Sequence, residues 1–62
     1  MWKIEIVKAT QKEIIGADVN DHFQVTVSKE KLPFGTVLKK GDVVNGYKAG
    51  GTFFATEILT KN

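Results

Sequence analysis

The stretch KKGDVVNGYKAGGTFFATEIL, from Lys39 to Leu59, decides the fold. Gly41 and Asp42 turn the chain into VVNGYK, AGG breaks it, and TFFATEIL carries it back, so two strands meet at a glycine-rich tip. Gly46, Gly50 and Gly51 lie beside Tyr47, Phe53 and Phe54. Glycine lets a hairpin twist sharply and lets another backbone, a base or a partner chain approach closely. The rings supply the contact surface. Phe53 and Phe54 are adjacent, so a regular strand points them to opposite faces. Alternation groups Phe54 with Thr56 and Ile58, and Phe53 with Ala55 and Leu59, and leaves open which group meets the core.

Upstream, alternation continues and helical periodicity is scarce. WKIEIVK places Trp2, Ile4 and Ile6 on one face with Lys3 and Glu5 on the other, a half-buried strand. EIIGADV is a second short strand in which Gly16 marks a bulge or a sharp coil. Asn20 and Asp21 punctuate a turn. HFQVTVSK then alternates, with Phe23, Val25 and Val27 inward and His22, Gln24 and Thr26 outward. Pro33 and Gly35 forbid a long helix in EKLPFGTVLKKGD. That segment reads as a loop or one helical turn, with Leu32, Phe34 and Leu38 plugging an end of the core. Trp2, Phe23 and Phe34 are read as core rings. Five strands with at most one short helical turn define an all-β chain, a small five-stranded antiparallel barrel over residues 1–62 as one domain. Closure also removes the edges that an open sheet of this size exposes.

The composition narrows the function. A chain of 62 residues buries a small core, and its usual staples are absent: there is no cysteine and one histidine, His22. Disulfides, thiolate metal sites and histidine clusters are thereby excluded. The N-terminal MWKIEIVKATQKEII carries charges every few residues and fits no secretory segment, and no apolar run reaches membrane-spanning length. The expectation is a soluble cytoplasmic protein with no membrane partner. The net charge is +2, and all nine basic residues are lysine. Without arginine there is no bidentate fork for guanine edges, so any nucleic-acid binding is expected to tolerate sequence. The same lysines also serve solubility and edge protection.

The strand order and spacing resemble an OB-fold. LKKGDVVNGYKAGGTFFATEILTKN is similar to the closing strands of the cytochrome c maturation haem chaperone family. The matching residues are Lys40, Gly41, Val43, Val44, Gly46, Phe54, Ala55, Glu57, Ile58, Leu59 and Lys61. In that family a haem-linking histidine follows the lysine. Asn62 holds that position here, so haem attachment is not carried over, and neither the family's N-terminal membrane anchor nor a cofactor is expected. The whole chain resembles, more loosely, a cold-shock-type barrel, with NDHFQVTVSK at the aromatic nucleic-acid strand and LKKGDVV opening the fourth strand. EIIGADV lacks the aromatics of the preceding cold-shock strand. FGTVLKKGDVV is similar over a shorter stretch to turns of phage capsid decoration proteins.

No nucleophile elbow, Walker loop or metal-ligand spacing surrounds Ser28 or His22, and GYKAGG lacks the ending of a phosphate loop, so no enzymatic activity is expected. Asp18 and Asp21 read as turn formers. An exposed ring beside Lys48 and near Tyr47 is the pattern of a base-stacking platform. The expectation is weak, sequence-tolerant binding of single-stranded nucleic acid through Lys8, Lys12, His22, Tyr47, Lys48 and Phe53, with Gln24 and Thr26 on the same face. The alternative is a protein-interaction or assembly module using the same hairpin, with an exposed ring covered by a second subunit in a homo-oligomer.

Overall fold

The alternation in WKIEIVKA buries Ile4 and Ile6 completely on one side of β1 (Trp2–Ala9), while Lys3 and Glu5 face solvent. This is the first of five strands in the computed structural model, which describes residues 2–62. The others are β2 (Ile14–Asp18), β3 (Gln24–Ser28), β4 (Val43–Ala49) and β5 (Thr52–Thr60). They close into a barrel in the order β1-β2-β3-β5-β4, compatible with an OB-like fold. The pairing of β1 with β4 closes the order; Ile4 sits between Asp18 of β2 on one side and Val44 of β4 on the other. One pairing differs from the all-antiparallel expectation: β3 and β5 run parallel, with Thr26 beside Thr52 and Ser28 beside Phe54. The long connection over residues 29–42 carries the chain across the barrel before β4, which makes that parallel contact possible. This connection is built of turns without a helix among the described residues.

Ile4, Ile6, Val27, Leu32, Leu38, Val44, Phe53 and Ala55 form the core, with Ile14, Val25 and Ile58 packed against it. Leu32 and Leu38 plug it from the 29–42 connection, as expected of two members of the Leu32, Phe34 and Leu38 set. The three rings expected there do not. Trp2 is 43% exposed, Phe23 67% and Phe34 108%. Trp2 continues the inward stripe of Ile4 and Ile6 but sits where β1 begins, at the rim. Phe23 likewise precedes the first residue of β3. Phe34 is a corner of a tight turn in which the Thr36 N–H donates to the Pro33 carbonyl at 3.1 Å and Gly35 takes a φ of 87°. That geometry fits a type II turn, whose corner residues face outward. Phe53 replaces them as the principal core ring, at 0% exposure.

Three register shifts interrupt the ladders, one in β1 and two in the β4–β5 hairpin. Leu59 is the extra residue of one, between Thr60 paired with Val43 and Ile58 paired with Val44. The other two bear on the core and the site. The first lies across from Gly16 rather than in it: Ile6 pairs with Gly16 and Lys8 with Ile15, which leaves Val7 as a bulge in β1. A Cβ on Gly16 would collide with Ile4 Cγ2, so the glycine admits the inward side chain of the facing strand. The second lies in the hairpin. Asn45 pairs with Glu57 and Gly46 with Ala55, which leaves Thr56 as the extra residue. A bulge reverses the phase of alternation. Ile58 therefore packs on the core opposite Val44, although strict alternation grouped it with the outward Phe54.

Candidate nucleic-acid interface

The glycines of the hairpin divide into two kinds. Gly50 and Gly51 form the two-residue turn between the paired Ala49 and Thr52, with φ of 58° and 82°. Both values are positive, as a type I′ hairpin turn requires. Gly46 is buried within β4, and a Cβ there would strike the Phe54 carbonyl oxygen. It supplies the close backbone approach, and it lets the ring of Trp2 sit opposite a position with no side chain.

The tip of this hairpin and the start of β3 enclose an open cleft of about 420 Å³, lined by residues 23–26 and 48–51. Its chemistry is mixed. Phe23 gives a ring, Gln24 and Thr26 face outward with hydrogen-bonding groups, the glycine turn exposes backbone, and Lys48 brings a positive charge. The Lys48 Nζ lies 4.1 Å from the centroid of the Trp2 ring and 5.9 Å from that of Phe23. An ammonium over an exposed aromatic face is held by about 0.5–1 kcal/mol. Two rim rings missed as surface residues by alternation thus flank the one lysine of the tip. The available signal was positional: Trp2 and Phe23 each stand at a strand boundary, where an inward phase no longer means burial.

The loop before Phe23 is fixed by its acids. Asp18 Oδ1 accepts the Asn20 N–H at 2.8 Å, and Asp21 Oδ1 accepts the Phe23 N–H at 2.9 Å. Both are turn formers, as the sequence suggests. The second bond fixes the backbone that presents Phe23 to the cleft. His22 lies in this turn and not in β3; it is exposed, takes a φ of 63°, and donates its backbone N–H to the Asp18 carbonyl at 2.8 Å.

The remaining expected residues scatter. Phe53 is withdrawn from the surface set, because β5 turns it into the core. Tyr47 and Lys48 are neighbours in β4 and point to opposite faces. Tyr47 stacks on Phe54 outside the hairpin, with centroids 5.4 Å apart and planes inclined by 27°. Lys12 is exposed in the loop between β1 and β2, where the Thr10 hydroxyl oxygen accepts the N–H groups of Lys12 and Glu13 at 3.2 and 3.1 Å. Lys8 pairs with Glu13 at 3.2 Å. This loop and the cleft lie toward opposite ends of β3: Lys12, Val27 and Lys29 line one hollow, and Phe23 and Gln24 line the other. The four steps of β3 from Gln24 to Ser28 span about 13 Å at the rise of an extended strand.

Among the described residues, no group of three histidines, cysteines or acids is placed to hold a metal, and no helix is long and apolar enough to cross a membrane. Comparison with protein-family models, curated proteins and solved structures gave no match.

Proposed function

We propose that this chain is a non-catalytic domain that binds single-stranded nucleic acid without sequence preference, in the cleft between β3 and the β4–β5 turn. The observation that carries the reading is the Lys48 ammonium flanked by the exposed rings of Trp2 and Phe23 at the cleft mouth. A base stacking on Phe23 gains about 1–3 kcal/mol whatever its identity. Gln24 and Thr26 offer hydrogen bonds to base edges or sugar, and Lys48 reaches a phosphate. Strands 2 and 3 and the last hairpin are the face that OB barrels use for oligonucleotides. The looser resemblance to cold-shock-type barrels agrees with this reading through NDHFQVTVSK, which supplies Phe23, Gln24 and Thr26. Lys12 stands at the far end of β3, where a strand crossing the face would leave.

Titration with fluorescein-labelled oligothymidylate and oligouridylate at low and moderate salt tests the proposal. Similar affinities for the two, weakening as salt rises, are expected, with a loss in Lys48→Ala. No anisotropy change at low salt would sink it.

The rival reading, a protein-interaction or assembly module, draws on a separate observation. Phe34 and Val37 of the 29–42 connection are strongly exposed, and Tyr47 is partly exposed outside the hairpin. Such side chains suit a protein partner or a second copy better than a polyanion.

A further inference from the structure

We infer that Trp2 is a second base-stacking residue and that Lys48 covers it until nucleic acid arrives. The inference rests on the proposed cleft and goes beyond it, because Trp2 does not line the cleft in this conformation. Its ring lies beside the cleft under the Lys48 ammonium, 4.1 Å from the centroid. The same ammonium lies 5.9 Å from Phe23. One side chain therefore stands between two partly exposed rings and takes up the face that a second base would use.

The backbone around this cluster is constrained. Trp2 pairs with Gly46 and Lys3 with Asn45, so the rim end of β1 is held in the ladder. Lys48 pairs with Phe53, whose ring is fully buried. The movable part is the exposed Lys48 side chain, which leaves β4 one residue before Ala49, where the strand ends and the glycine turn begins. Lysine reorients easily because its charge sits on a flexible four-carbon chain with no fixed hydrogen-bond geometry.

The exchange has a clear direction. A phosphate entering the cleft offers the ammonium an opposite charge and a charge-assisted hydrogen bond, both stronger than its contact with a ring. When Lys48 swings to the phosphate, the Trp2 face is freed, and stacking of a base there exceeds the cation contact it replaces. The phosphate contact and the second stack are thus coupled through one side chain. A free base or nucleoside lacks the phosphate that draws the lysine away. The ligand class is therefore a phosphodiester strand with at least two unstacked bases. Duplex ends and mononucleosides are poor ligands.

Trp2 is the one tryptophan in the chain, so its emission reports this site alone. The experiment follows two signals in one titration of the full chain: anisotropy of a labelled oligothymidylate, and emission of Trp2 with its accessibility to acrylamide. Binding is expected to quench Trp2 in step with the anisotropy rise and to protect it from acrylamide. Thymidine at matching base concentration is expected to leave the emission unchanged. Trp2→Phe keeps a ring and tests the size of the stack; an affinity loss of a few-fold is expected. Lys48→Met keeps the stem without the charge. In the free protein it is expected to let acrylamide reach Trp2 more readily, and in the complex to lower the salt slope by about 0.7. An anisotropy rise with Trp2 emission and protection unchanged overturns the inference and leaves the cleft reading standing. No anisotropy rise overturns both.

Discussion

The Asp42 carboxylate accepts the backbone N–H of Asn62 through Oδ1 at 2.7 Å, and that of Lys39 through Oδ2 at 2.9 Å. A fully buried acid thereby ties the end of β5 to the turn that opens β4. The Asn62 side chain adds a bond to the Lys40 carbonyl at 3.2 Å. The Asn62 N–H lowers the Asp42 pKa most; burial works against it, and the Lys39 N–H and the charges of Lys61 and Lys39 assist the lowering.

The first prediction follows from that clamp. The folded chain keeps Asp42 ionised to lower pH than the unfolded chain does. Its contribution is therefore complete above the ordinary aspartate value of 3.8 and is lost as pH falls below it through the folded value. Asp42→Asn removes the charge and sets an amide group against one of the two donors. A loss of about 1.5–3 kcal/mol is expected at neutral pH. Urea midpoints of the two proteins should converge on acidification. A constant difference across that range would show that the charge of Asp42 contributes nothing.

Gly46 and Gly50 give a second, contrasting pair. At Gly46 a Cβ meets the Phe54 carbonyl, a backbone atom that cannot yield without opening the β4–β5 ladder. Gly46→Ala should cost about 3 kcal/mol, at the upper end for overpacking. At Gly50 nothing lies within 4 Å, so Gly50→Ala meets only the strain of a positive φ, about 1–2 kcal/mol. Thermal denaturation should rank them in that order. The reverse order would mean that the close approach at Gly46 is not a structural requirement.

These two glycines also mark how far the sequence could be read. Five strands, a glycine-rich hairpin and a plug from Leu32 and Leu38 are legible, because alternation and turn residues act locally. Phase is not local. The extra residue at Thr56 reverses the pattern within β5 and puts Phe53 and Ile58, of opposite parity to the eye, on the same core. Trp2 and Phe23 keep the inward phase but lie beyond the end of the wall they would pack against. The parallel contact between β3 and β5 depends on where a 14-residue connection delivers the chain, which strand patterns do not encode. Lys48 was visible as a candidate; its two aromatic neighbours come from β1 and from the turn before β3 and meet it only after closure.

Phe53 and Phe34 test the revised core. Phe53→Ala removes a fully buried ring and is expected to cost about 3–5 kcal/mol, enough to unfold most of a domain this small. Phe34→Ser alters a ring standing clear of the fold and should change stability by less than about 0.5 kcal/mol. Circular dichroism during heating reads both. A large loss in Phe34→Ser would place that ring in a subunit contact.

Phe23 and Tyr47 separate the two functional readings, because they stand on different surfaces of one hairpin. Phe23 lines the cleft beside Lys48, whereas Tyr47 stacks on Phe54 outside it. If the chain binds single strands in the cleft, Phe23→Ala removes a stacking surface and weakens oligothymidylate by about tenfold. Tyr47→Ala should then leave that affinity within about twofold, the size of ordinary surface substitutions. If the hairpin instead docks on protein, the effects exchange: Tyr47→Ala alters sedimentation at high concentration, and Phe23→Ala alters nothing. Phe23 is two-thirds exposed, so its loss should leave the thermal midpoint nearly unchanged, and a binding defect can be separated from unfolding. Equal losses of oligonucleotide affinity in both variants would extend the nucleic-acid face around the hairpin to the outer Tyr47–Phe54 pair. Full affinity in Phe23→Ala would remove the cleft from consideration.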